Sequence, residues 1–230
     1  MSGSLFLLAT VSVLALSDVA AANPLHPVAH ARGAVHRVIS AAPGAVTLYD
    51  QNSDDTGVSI ISTNFTEDFD SYDAFGADDF VVPNGHKWKI RQIEVSGWYH
   101  GAGGPASSED IFFYADDKGL PGDLVAGCSE IQGADNQGSF AIRLPRSCRV
   151  SLKGGRRYWI SVVANVDFAC CGYWSWETRN LQTGKPAAWE NPNGGFGTTC
   201  TTWDAMKDCM GLYGEGPDFM FTLKGRDMTH

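Results

Sequence analysis

Residues 87–99, Lys-Trp-Lys-Ile-Arg-Gln-Ile-Glu-Val-Ser-Gly-Trp-Tyr, decide the fold. Trp88, Ile90, Ile93, Val95 and Trp98 recur among the charged Lys87, Lys89, Arg91 and Glu94. That is the period of a strand with one buried face, and the phase slips between Ile90 and Ile93, which predicts a β-bulge. Just upstream, residues 79–82 run apolar into Pro83-Asn84-Gly85, a turn signature. Further strand patterns fall at 46–49, 111–114, 124–126, 139–144, 158–166, 173–176 and 219–223. In the stretch 158–166, Tyr158, Ile160 and Val162 share one face, and Trp159, Ser161 and Val163 the other. About nine or ten short strands with turns between them, and no amphipathic helix, predict an all-β fold: an antiparallel β-sandwich or jelly roll.

Composition agrees. The chain of 230 residues is 43% hydrophobic and only 19% charged, with 26 Gly and 7 Trp, which excludes intrinsic disorder, a coiled coil and a collagen-like rod. Acidic residues outnumber basic ones 26 to 17, giving −9, the wrong sign for a nucleic-acid binder. Residues 1–22 read as a signal peptide: an apolar run over 5–16, then Ala20-Ala21-Ala22 before Asn23. The run is well short of the ~20 residues a spanning helix needs, so the mature protein is expected to lack a membrane span. Removing the peptide takes away only Asp18 among the charges and moves −9 to −8. Residues 23–44, rich in Ala, Pro and His, read as a flexible arm or propeptide. Pro24 and Pro27 spoil any helical face for His26, His30 and His36. The sandwich is expected over 45–225, with a short tail over 226–230.

The six cysteines fit a secreted, extracellular or periplasmic destination. Cys128 and Cys148 close a loop around a hairpin, worth about 3 kcal/mol of chain entropy. Cys200 and Cys209 flank one short loop. Cys170 and Cys171 either bridge each other or pair crosswise with Cys200 and Cys209. No CxxC pair or neighbouring histidine suggests a metal site built on these thiols.

Residues 111–126, Ile-Phe-Phe-Tyr-Ala-Asp-Asp-Lys-Gly-Leu-Pro-Gly-Asp-Leu-Val-Ala, resemble the strand-turn-strand of many secreted bacterial β-sandwich modules. Residues 77–83 and 214–221 look like segments of largely uncharacterised secreted bacterial proteins and appended C-terminal domains. The resemblance, over about 46–225, implies a jelly roll similar in shape to non-catalytic carbohydrate-binding modules; it names no reaction.

Three constellations carry candidate chemistry. Nine carboxylates (Asp50, Asp54, Asp55, Glu67, Asp68, Asp70, Asp73, Asp78 and Asp79) crowd one window with no Lys or Arg. They form either a solvated acidic loop or a structural Ca²⁺ site, with Asp78, Asp79, Glu215 and Asp218 converging if the first and last strands pair. Aromatics cluster at Tyr173, Trp174, Trp176, Trp189, Phe196 and Trp203. Flat rings on Gly-rich loops suit stacking on sugar faces, with Asn180 and Asn193 to bind hydroxyls. Trp189 and Trp203, in loops near Pro192, Gly194 and Gly195, are expected to be the exposed ones; core packing is the competing reading for the rest. Finally, Arg143, Arg146, Arg149, Lys153, Arg156 and Arg157 lie close together, either balancing the acids or meeting an anionic polymer.

No hydrolase nucleophile or metalloprotease motif is present; if the protein is an enzyme, the pair to test is Glu177 with Glu190. The leading expectation is a secreted non-catalytic module that recognises carbohydrate or another cell-surface polymer. The alternatives are a secreted glycan-active hydrolase or lyase, and a structural or protein-binding extracellular module.

Overall fold

The computed structural model describes residues 28–29, 42–211 and 216–229. The expected signal peptide, most of the expected arm, Glu215 and His230 lie outside the described residues. Eighteen strands are present among the described residues. The first nine are β1 (Val28–Ala29), β2 (Val46–Asp50), β3 (Asp55–Ile61), β4 (Thr63–Phe65), β5 (Phe75–Val82), β6 (Lys87–Val95), β7 (Gly97–His100), β8 (Ser108–Asp117) and β9 (Leu120–Ile131). The others are β10 (Ala134–Asn136), β11 (Ser139–Arg143), β12 (Ser151–Lys153), β13 (Arg156–Val166), β14 (Tyr173–Arg179), β15 (Ala188–Glu190), β16 (Asp204–Ala205), β17 (Asp218–Phe219) and β18 (Phe221–Asp227). Two short helices, α1 (Phe168–Cys171) and α2 (Met206–Met210), lie in connections.

The strands form three sheets. In the first, β14 pairs with β3 on one side and with β7 and then β17 on the other, and β1 adds to β3. The second runs β10-β11-β6-β18-β2, with β12 beside the first half of β6. The third runs β16-β15-β5-β13-β8-β9, with β4 parallel to the end of β13. Every other pairing is antiparallel, so the protein is an antiparallel β-sandwich. The strand count exceeds expectation because the chain switches sheets at corners. The stretch 87–99 is one strand by pattern, but it breaks at Ser96: β6 joins the second sheet and β7 the first. The last strand also runs through Asp227, two residues past the expected boundary of the sandwich.

The second and third sheets face each other over the main core. Phe80 on β5 meets the rings of Trp88 and Phe221 from the opposite sheet and of Phe113 and Tyr158 from its own. Ile90, Ile93, Ile111, Ile160, Val162 and Leu223 fill the space between them. Each such side chain contributes about 1.5–3 kcal/mol on burial. The predicted bulge is real: Lys224 opposes Gln92 while Gly225 opposes Ile90, so Arg91 is the extra residue of β6. Gly225 is required there, since a Cβ would lie 2.1 Å from the Lys89 carbonyl oxygen.

The cysteines pair as Cys128–Cys148, Cys170–Cys171 and Cys200–Cys209, which decides for the adjacent bridge over the crossed one. No helix among the described residues is long and apolar enough to cross a membrane.

Candidate functional site

Most of the aromatic cluster lies in the core. Trp174, Trp176 and Trp189 are fully buried. Their indole N–H groups donate to the carbonyls of Gly138 (2.7 Å), Met220 (2.8 Å) and Ile61 (3.0 Å). Trp174 and Trp176 share one face of β14, as the alternation requires, but it is the core face. Their rings continue a stack from Phe140 to Phe219. Gly97 makes room for it, since a Cβ there would lie 2.3 Å from Trp174 Nε1. The expected exposure of Trp189 is corrected: pairing of β15 with β5 turns Trp189 inward and leaves Ala188 and Glu190 on the opposite face. Three of the four tryptophans expected to contact ligand therefore cannot stack on one from solvent.

The two asparagines fasten loops. Asn180 Nδ2 donates to the carbonyls of Asp54 (3.1 Å) and Asp55 (3.3 Å), and Asn193 Nδ2 to that of Asp70 (2.8 Å). Both residues remain exposed.

The acidic window is spread over several elements, and several of its carboxylates have local donors. Asp50 accepts from Thr222 Oγ1, Asp55 from the Gly57 N–H and Asp73 from the Phe65 N–H. The first and last strands of the sandwich do pair, β2 with β18, and Asp78 comes close to Asp218. Yet Asp78 Oδ2 already accepts from Gln51 Nε2 and the Phe219 N–H, each at 2.7 Å, and its Oδ1 accepts from the Asp79 N–H. Burial, and then the Asp218 charge, hold the Asp78 carboxyl well above the usual range. Burial lifts Asp218 to about 6. Asp79 pairs with Arg157 and accepts from the Lys185 N–H at 2.6 Å. Among the described residues, no three His, Cys, Asp or Glu side chains are grouped to hold a metal ion. Of the four residues expected at a Ca²⁺ site, Glu215 lies outside the described residues.

Glu177 and Glu190 stand on different sheets. Glu177 is buried on β14 opposite Ser59, and Glu190 is half-buried on β15 opposite Phe75. Burial raises Glu190 to about 7, partly opposed by the Trp203 N–H, with no contribution from Glu177.

What surrounds Glu190 is the candidate site. On the outer face of the third sheet, strand pairing lines up Phe112, Ser161, Ala77, Ala188 and Ala205. The three central residues are small, so they make a low floor. Trp203 packs over it against Ala77, Trp159 and Ala188. Its ring meets Tyr114 edge-on at 5.7 Å, and both rings are half-exposed. Burial and the Glu190 charge push the Tyr114 hydroxyl above its ordinary range, so it stays a neutral donor and acceptor. Beneath, Trp159 Nε1 donates to Asp116 at 3.0 Å, and the buried Ser161 Oγ has no hydrogen-bond partner among the described residues. The site thus offers two rings and one carboxyl that titrates near neutrality, over a floor in which the Ser161 hydroxyl is sealed.

Sequence reasoning selected Glu190 and Trp203 and missed Tyr114 and Ser161. The alternation of residues 158–166 already put Ser161 on the face opposite Tyr158, Ile160 and Val162. Tyr114 enters only through the pairing of β8 with β13, which no local pattern displays.

Comparison with protein-family models, curated proteins and solved structures finds no match.

Proposed function

We propose that this protein is a secreted, non-catalytic module that recognises carbohydrate at the outer face of its third sheet. The observation that carries the reading is the half-exposed Trp203–Tyr114 pair beside the half-buried Glu190. Aromatic faces stack on the apolar faces of sugar rings, while a carboxyl and a phenol fix hydroxyl positions. Pairing of all six cysteines fits an oxidising destination outside the cytoplasm. Glu177 and Glu190, on separate sheets, supply no motive for cleavage, so the reading is binding alone.

A glycan array probed with wild type and Trp203→Ala tests it. Wild type is expected to bind a restricted set of neutral glycans without releasing reducing ends, and Trp203→Ala to bind at least about tenfold more weakly. Equal binding by both proteins, or no glycan bound at all, would remove the basis for this function.

A further inference from the structure

A second feature lies on the second sheet. The bulge makes Arg91 the extra residue of β6 and re-aims its side chain toward the turn at residues 42–45. There Arg91 Nη1 donates to the Pro43 carbonyl at 3.4 Å. Arg226, opposite Lys89 on β18, reaches the same turn, with its Nη2 3.4 Å from where a Gly44 Cβ would sit. Arg149 closes the group: its Nε donates to the Leu144 carbonyl at 3.3 Å, and the Leu144 N–H donates to the Arg91 carbonyl at 2.9 Å.

These three arginines stand close together on one sheet of an acidic chain. None makes an ion pair among the described residues, whereas Arg157, Arg179 and Lys224 all do. Arg91 is half-buried, and its Nε is sealed without a hydrogen-bond partner among the described residues. Of its five donor hydrogens, only the one on the long bond to Pro43 is engaged among the described residues. Desolvation, then the charges of Arg226 and Arg149, lower its pKa, and no carboxylate offsets them. Arginines that serve only to solvate a surface would turn apart or find acids, of which the chain has 26.

We infer that Arg91, Arg149 and Arg226 form a binding site for a tetrahedral oxyanion, a sulfate ester or a phosphate. Three forks arriving from three strands or turns suit an anion with oxygens in several directions better than a planar carboxylate. The site belongs to a different sheet from the Trp203 face and does not depend on it.

The test uses the full chain in calorimetric titrations with heparin and, separately, with inorganic phosphate. Four proteins are compared: wild type, Arg149→Gln/Arg226→Gln, Arg226→Glu and Trp203→Ala. Wild type and Trp203→Ala are expected to bind heparin alike. The double variant should lose at least about tenfold, and its slope of log affinity against log salt should fall by about one per arginine removed. Arg226 is exposed, so Arg226→Glu keeps the fold, verified by an unchanged melting temperature, and should abolish binding. Heparin bound and displaced by phosphate assigns a polymer-borne ester; phosphate bound without heparin assigns the free ion. Binding of neither probe, or equal binding by wild type and both arginine variants, overturns the site.

Discussion

The carboxyl of Glu190 stands near neutrality because Trp203 and the third sheet exclude water from it, while one backbone N–H, that of Trp203, favours the charged form. A ¹³C NMR titration should therefore place its midpoint near 7 and not at the ordinary 4.5. Trp203→Ala should return it toward the ordinary value by readmitting water. A midpoint near 4.5 in wild type would show an open carboxyl and remove the wall of the proposed sugar site. The same neighbourhood marks the reach of sequence reading. Trp203 and Glu190 stand out by residue type, but Trp189 misleads: a three-residue strand is too short to display a period, and its Pro- and Gly-rich surroundings suggest a loop. Arg149 stood among basic neighbours in sequence, whereas Arg91 and Arg226 join it only through pairing across more than half the chain.

Among the elements, the strand pattern was legible where one face is buried, as in β6 and β8, and in the apolar run of β13, which is buried on both faces. The break at Ser96 was not, because both halves of the stretch keep their apolar residues and only the partner sheet changes. The disulfides divide by loop length. Cys128–Cys148 ties β9 to the turn Arg146–Cys148 across a separation of 20, whereas Cys170–Cys171 spans 1. Replacing Cys128 and Cys148 by Ser should destabilise by about 3 kcal/mol. That corresponds to a fall in Tm of about 6–12 °C, read by differential scanning calorimetry. Replacing Cys170 and Cys171 should move Tm far less. Equal shifts would mean that local strain or packing, and not loop closure, sets the contribution.

Across the whole molecule, burial raises several carboxyls together: Asp73 and Asp218 to about 6, Glu109 and Glu190 to about 7. Their ordinary values are 3.8 for Asp and 4.5 for Glu, so between those values and 6–7 the folded chain holds more protons than the unfolded one. Their contribution is fully present below the ordinary values and is lost as pH rises through 6–7. Protonation also relieves the self-repulsion of a chain at −9. Thermal melts should give a higher Tm at about pH 5 than at about pH 8. The opposite order would mean that these four carboxyls titrate near their ordinary values in the folded protein, with water reaching them. Composition showed the acid excess; only the fold shows which acids are buried. The wiring of the second sheet has a consequence in time. β18 lies between β6 and β2, so until residues 221–227 have been made, both neighbours keep a bare edge. A ribosome delivering this chain therefore releases most of the polypeptide before the sandwich can close.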